Sequence, residues 1–281
     1  MADRAPDGDL TVALISDVFF DADAERRLEA RLAEARVAGA DLAMLPEIPL
    51  NPWSPATMDA HAEDAEEPGG PRHEALSGAA RAAGIGVVGG AIVRDTVDGL
   101  RRNTALVFDA QGRLVAHFAK LHLPEEPGFW ETSHYVPGHQ AAQVVGSFGM
   151  PVGIQICSDI NRPEGSHLLA ASGAEAILAP RATEQRTYER WRVVLRANAL
   201  TSCAYVLSVN RPRPEGGVLL GGPSVAIAPD GTVLLETTDA VAVVRLERAA
   251  VAAARIHYPG YLPVRARLYA DAWDEVARGG D

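Results

Sequence analysis

Lysine is nearly absent from this 281-residue chain: of its 26 basic residues 25 are arginine, and the exception is Lys120. The plain explanation for the bias as a whole is codon preference. The one position that keeps a lysine under it is a candidate for chemistry that needs a compact ammonium instead of a planar guanidinium. Cysteine is almost as scarce, and two residues, Cys157 and Cys203, are too few for a disulfide framework. They suit a reducing compartment, so the expected location is the cytoplasm. Runs of basic residues are also missing and the formal charge is −11, which excludes a nucleic-acid groove or an anionic membrane surface as natural partners. Small molecules or neutral proteins remain. The longest uncharged stretch, 140–158, is broken by Gly, Pro, Gln and Ser, and the N-terminus lacks an apolar segment, so no membrane span or leader is expected.

Familiar catalytic motifs are missing as well. There is no P-loop, H-E-x-x-H, paired C-x-x-C or G-x-S-x-G, and the eight histidines show no ligand spacing. Gly84-Ile85-Gly86-Val87-Val88-Gly89 fits the dinucleotide pattern letter for letter, but a helical stretch precedes it and a β-branched run follows. The fingerprint needs the opposite order, so Gly84 is read as a helix C-cap.

What is present is an alternation of apolar strands with amphipathic helices. Strands are expected at 10–18, 41–45, 85–93, 103–109, 114–118, 152–156, 176–178, 204–209, 224–228, 233–236 and 240–246. Helices are expected at 22–38, 71–83, from about Pro163 and over 184–202, with a short one closing the tail from Tyr258. Hydrophobic residues make up 47% of the chain and no linker interrupts it, which indicates one α/β layered domain over 1–281, with 258–281 as a C-terminal tail.

Three residues stand where strands give way to irregular segments, the usual place for an α/β active site. Glu47 ends an apolar strand and must find a partner or shift its pKa upward. Lys120 is flanked by Phe118-Ala119 and Leu121, so its ammonium is expected to point at a carboxylate or an active site. Cys157 follows Val152–Ile156 and precedes the helix at Pro163, whose N-terminus would stabilise a thiolate. Taken singly, each also fits a plainer role: an inert buried thiol, a loop-start glutamate, a surface lysine.

Three blocks of sequence carry more weight together. Leu45-Pro46-Glu47, Ala119-Lys120-Leu121-His122-Leu123-Pro124 and Gly153-Ile154-Gln155-Ile156-Cys157-Ser158-Asp159 with Pro163-Glu164 resemble, in order, the signatures of the nitrilase, or carbon–nitrogen hydrolase, superfamily. The resemblance implies a four-layer αββα sandwich and a Glu47–Lys120–Cys157 triad, with no metal or organic cofactor. It further implies a second glutamate before Pro137-Gly138, matched by Glu131, with Glu125 and Glu126 as competitors. The backbone N–H of Ser158 would join Lys120 in stabilising the oxyanion. Cys157-Ser158-Asp159 resembles the amidase and N-carbamoyl amide hydrolase branches more than the Cys-Trp-Glu of nitrilases, and 124–138 is most similar to carbamoylputrescine-type enzymes. The expected reaction is cleavage of a small linear amide or ureido compound through a thioester, releasing ammonia. A nitrilase, an acyltransferase and a silent scaffold of the same fold are the alternatives.

Substrate charge is left open by the sequence. Asp59, Glu63, Asp64, Glu66 and Glu67 form an acidic loop cluster that suits a cation or is a plain solvated loop, whereas Arg181 suits a substrate carboxylate unless it pairs with Glu184 or another surface acid. Trp53 and Trp130 are candidate pocket walls or plain packing. The resemblance also implies a homodimer or higher homo-oligomer. The tail residues Tyr261, Leu262, Leu268, Tyr269 and Trp273 are either its interface or a cap on the chain's own core.

Overall fold

Strand β1 (Leu10–Ile15) shows how the layers arise. Leu10, Val12 and Leu14 enter one apolar cluster while Ala13 and Ile15 enter another, because successive side chains of a strand point to opposite faces and both faces here are covered. The computed structural model describes residues 8–279. Within them, a first sheet runs in the order β14 (Val241–Leu246), β1, β2 (Leu42–Met44), β4 (Gly86–Arg94), β5 (Arg101–Phe108), β6 (Leu114–Ala119), with the short β3 (Ala65–Glu66) beside β4. Strands β1, β2 and β4 are parallel. A hairpin of β7 (Glu125–Glu126) and β8 (Phe129–Trp130) follows. The second sheet runs β13 (Val233–Thr237), β12 (Ser224–Ile227), β11 (Tyr205–Asn210), β10 (Ala176–Arg181), β9 (Val152–Ile154), the last three being parallel.

Three apolar layers hold these sheets. Leu14, Val107, Leu178 and Leu207 meet between the sheets. Helices α1 (Ala24–Val37) and α2 (Pro71–Ala83) lay Leu28, Leu32 and Leu76 on the outer face of the first sheet. Helices α3 (Pro163–Ala171) and α4 (Tyr188–Ser202) lay Leu169 and Leu195 on the second. The result is the αββα sandwich that the resemblance implied. Close approach is built in where helix meets sheet: a Cβ on Gly89 would sit 2.7 Å from Leu76, and one on Gly153 2.7 Å from Leu169.

Helix α2 is well terminated. Pro71 occupies its first turn, the Glu66 carboxylate accepts the backbone N–H of Arg72 and of His73, and Gly84 closes it in the left-handed region with its N–H on the Ala80 carbonyl. The reading of Gly84 as a C-cap therefore holds.

Several boundaries differ from expectation for local reasons. Strand β9 stops at Ile154, and a 3-10 turn, Cys157–Asn161, separates Cys157 from α3. Strand β10 continues past Pro180 to Arg181 along β11, because β9 pairs with it only as far as Leu178 and leaves no strand on that side for Pro180 to donate to. A further helix, α5 (Arg248–Ile256), forms in an alanine-rich stretch. In α6 (Ala266–Gly279), Leu268, Tyr269, Trp273 and Val276 are all more than half exposed, as are Tyr261 and Leu262. Of the two roles considered for the tail, a cap on this chain's own core is the one the structure does not show.

Candidate active site

The parallel strands of both sheets deliver their C-terminal ends to one place, and that is where the polar core lies. Glu47 follows β2, its N–H reaching the carbonyl of Arg181 at the end of β10 on the other sheet (3.5 Å). Lys120 follows β6 and is fixed by its backbone, its N–H on the Asn103 carbonyl (2.9 Å) and its own carbonyl accepting from Gly138 (2.8 Å). A Cβ at Gly138 would meet the Ala119 carbonyl at 2.6 Å, so the Pro137-Gly138 pair allows the two segments to touch. Glu131 lies in a 3-10 turn after the β7–β8 hairpin.

The side chains converge. The Lys120 ammonium donates to Glu47 Oε1 (2.7 Å) and to both oxygens of Glu131 (2.6 and 2.7 Å), and all three side chains are fully buried. Of the competing acids, Glu125 and Glu126 are exposed on the hairpin, so Glu131 is the one that reaches the lysine. Asn103 Nδ2 donates to Glu47 Oε1 as well (2.7 Å) and lies 3.5 Å from the Tyr135 hydroxyl. Glu47 Oε2 is buried with no partner. One oxygen of this carboxylate is thus held by two donors while the other is free to take a proton.

Cys157 opens the turn after β9 with φ at +48°, a strained conformation for a residue with a side chain. Its Sγ lies 3.8 Å from the Ala182 carbonyl, just beyond β10. Asp159 ties this turn to the lysine segment. Its Oδ1 accepts the N–H of Leu121 and of His122 (3.1 and 2.9 Å) and meets His122 Nδ1 (2.8 Å), while its Oδ2 accepts the N–H of Ile156 (3.2 Å). Ser158 Oγ donates to the His122 carbonyl, a second tie between the same segments.

Burial sets the electrostatics. It pushes the Cys157 thiol well above its ordinary value, the neighbouring Glu47 adding to the rise and Lys120 opposing it. The expected thiolate at a helix N-terminus is therefore replaced by a neutral thiol in its own turn, which reacts only as its proton is taken. Burial also raises Glu131 to about 7, with Lys120 pulling it back down. For Lys120 the balance is reversed: burial lowers its pKa, but the two carboxylates outweigh this and keep it charged.

The remaining candidates fall around this core. Trp53 is buried, its Nε1 donating to the Gly128 carbonyl (2.8 Å) and its ring meeting Phe129 edge-on (5.7 Å). It shares an apolar cluster with Ile48, Tyr135, Ala182, Val218 and Leu220, of which Ile48 adjoins Glu47, the Tyr135 hydroxyl lies 3.5 Å from Asn103 Nδ2 and the Ala182 carbonyl lies 3.8 Å from Cys157 Sγ. Trp130 is half-buried on β8, directly before Glu131. Arg181 is fully buried and donates to Ser208 Oγ (2.9 Å), Thr183 Oγ1 (2.6 Å) and the Pro223 carbonyl, beneath the Tyr188 ring (5.6 Å). Glu184 pairs instead with Arg186 (2.6 Å). The acidic loop does not act as one patch: Glu66 is buried against His73 and Arg72, and Glu67 lies 3.5 Å from Arg94. Asn103 and Tyr135 were missed from sequence, since one reads as an ordinary strand start and the other as packing. Their only signals are a polar residue opening an apolar strand and an aromatic four residues after Glu131.

The sequence profile described as carbon-nitrogen hydrolase matches residues 20–256. The chain belongs to the carbon–nitrogen hydrolase family. Among relatives of this nitrilase superfamily, a chloroplastic omega-amidase of Arabidopsis thaliana is 32% identical over 225 residues, which span 77% of this chain and 60% of that protein. A hydrolase of Schizosaccharomyces pombe is 29% identical over 250 residues, 86% of this chain and 77% of the other. Among solved structures, a carbon–nitrogen hydrolase from Helicobacter pylori G27 superposes with a TM-score of 0.80 at 18% identity, covering 94% of this chain and 98% of its own. A double mutant of the amidase from Nesterenkonia sp. AN1, in complex with acrylamide, gives 0.76 at 25% identity, covering 95% and 98%.

Proposed function

We propose that this carbon–nitrogen hydrolase cleaves a small linear amide or N-carbamoyl compound with Cys157 as nucleophile, Glu47 as general base and acid, and Lys120 and Glu131 completing the site. The observation that carries the proposal is the unpartnered, buried Oε2 of Glu47, whose other oxygen is clamped by Lys120 and Asn103. In this mechanism Cys157 Sγ bonds to the carbonyl carbon while its proton passes to Glu47 Oε2. Lys120 and the backbone N–H of Ser158 stabilise the oxyanion, about 3–4 kcal/mol for such a donor. The C–N bond then breaks as Glu47 returns the proton to nitrogen, releasing ammonia. Water attacks the thioester, giving a proton to Glu47, and the C–S bond breaks to restore the thiol. Glu131 keeps Lys120 in place.

Amides are preferred over nitriles because Ser158-Asp159 follows the nucleophile, and omega-amidase relatives and an acrylamide-binding amidase neighbour support the same class. The apolar wall of Trp53, Val218 and Leu220 suits a short aliphatic acyl group, with Trp130 at its edge. Arg181 spends three of its five N–H donors on neutral acceptors, which leaves one on Nη1 and one on Nη2 for a substrate carboxylate. The whole chain acts as one catalytic unit, and the apolar residues of α6 and its approach, 258–279, form a homo-oligomer interface with a second copy. Free Cys157 and Cys203 suit the cytoplasm. Among the described residues no helix is long and apolar enough to cross a membrane.

Ammonia release from a panel of aliphatic amides, N-carbamoyl amines, N-carbamoyl amino acids and nitriles tests the assignment. Release from an amide or ureido compound that disappears in Cys157→Ala supports it. Silence across the panel, with Cys157 inert to alkylation, would favour a scaffold of the same fold.

A further inference from the structure

Ile48 directly follows the proposed base and holds φ at +38°, a left-handed conformation that a β-branched residue adopts only under strain. The peptide planes on both sides of it are gripped by a single side chain. Arg211 Nη1 donates to the carbonyls of Glu47 (2.9 Å) and Ile48 (3.0 Å), and its Nη2 donates to the carbonyl of Asn51 (2.8 Å). The guanidinium is held in turn by Glu215, through Nε to Oε1 (2.9 Å) and Nη2 to Oε2 (2.6 Å). All five N–H donors of this fully buried arginine therefore have acceptors. Trp53 and Phe20 lie near the guanidinium with ring centroids at 5.8 and 5.9 Å, and Glu215 Oε2 also accepts the Trp53 backbone N–H (3.1 Å).

We infer that Arg211 and Glu215 form a positioning pair for the base: by fixing the carbonyls that bracket Ile48, they hold the free oxygen of Glu47 toward the nucleophile and seat Trp53 beside it. The inference rests on the reading of Glu47 as the base. Neither residue touches the reacting atoms, so the pair acts through backbone geometry. A lysine keeps the charge at position 211 but has three donors on a rotating head, so it cannot grip three carbonyls and a carboxylate at once.

The test uses the full chain with Arg211→Lys, Glu215→Gln and Glu47→Gln. It reads the thermal midpoint together with the rate at which iodoacetamide alkylates Cys157 from pH 6 to 10, followed by peptide mass so that Cys203 is counted separately. Arg211→Lys is expected to melt cooperatively yet alkylate at least tenfold more slowly at pH 7.5. Its profile should move to higher pH, because a buried thiol without a poised base reacts only as it ionises by itself. Glu215→Gln is expected to show the same shift with at least a threefold loss, and it decides the matter if Arg211→Lys does not fold. Alkylation within twofold of the parent with an unmoved pH profile, or losses that merely follow the unfolded fraction, would overturn the positioning role. Slow Glu47→Gln with normal Arg211→Lys would sink the positioning pair alone, whereas normal alkylation in Glu47→Gln would remove the base reading and the inference with it.

Discussion

Replacing Lys120 by methionine removes an ammonium that lies 2.6–2.7 Å from two buried carboxylates and leaves a chain of similar length. At an effective dielectric constant of about 20, each contact at that distance is worth roughly 6 kcal/mol of attraction. Relief from desolvating the ammonium offsets several kcal/mol of this, and breaking a buried ion pair typically costs about 3–5 kcal/mol. The pH dependence is the sharper signature. In the parent chain Glu131 gives up its proton near 7, so above that pH the folded state and the unfolded state both hold Glu131 ionised. The variant lacks the cation that opposes burial, so it still binds at least one proton that the unfolded chain, with an ordinary value of 4.5, does not. Its stability therefore falls with rising pH by about 1.4 kcal/mol per unit per retained proton more than the parent's does. Urea unfolding of both proteins at pH 7, 8 and 9 measures the gap. A loss of about 3–5 kcal/mol near pH 8 that widens toward pH 9 is expected, and a gap under about 1 kcal/mol, or one that stays flat from 7 to 9, would refute the buried Glu–Lys–Glu electrostatics.

Glu47→Gln keeps an acceptor for Lys120 and Asn103 at the position of Oε1 but removes the basicity of the side chain, so kcat/KM should drop by about 10²–10⁴ while the thermal midpoint holds; a loss under tenfold in steady-state kinetics would contradict the base. Asn103→Leu removes one of the two donors to Glu47 Oε1, and with the partner carboxylate buried the expected destabilisation is about 1–3 kcal/mol by urea titration, together with slower turnover. Leu195→Ala, on the buried face of α4, should lose about 2–5 kcal/mol without changing KM. Glu66→Ala strips two backbone donors at the start of α2 of their acceptor. A loss of about 0.5–2 kcal/mol is expected by urea titration, with unchanged activity.

Much of this site was legible because its residues interrupt patterns. Glu47, Lys120 and Cys157 each end an apolar run, where a polar residue has no packing reason to be. The alternation of strands and helices gave the layers because every strand covered on both faces reads as a continuous apolar stretch. What was hidden depends on contacts between distant segments. Asn103 is an unremarkable strand residue until Glu47 folds across it, and Arg211 looks like one more arginine in an arginine-rich chain. The turn at Cys157 was missed because Pro163 marks the start of α3 but says nothing about the residues before it. Arg181 was weighed as a partner of Glu184 by proximity in sequence, yet the end of β10 directs it to Ser208 and Pro223 while Glu184 turns to Arg186. Helix α5 buries a single apolar side chain, Val251, so no run of core residues marks it.

The central claim is that Cys157 forms a thioester whose making and breaking Glu47 serves as proton carrier. It is tested most directly by acid-quenching the enzyme during turnover of an amide that releases ammonia and weighing the intact chain. A mass increase equal to the acyl group, mapped to the Cys157 peptide, absent in Cys157→Ala and strongly reduced in Glu47→Gln, is the predicted result. Continued ammonia release by Cys157→Ala, or turnover with the acyl mass on any other residue, would contradict it.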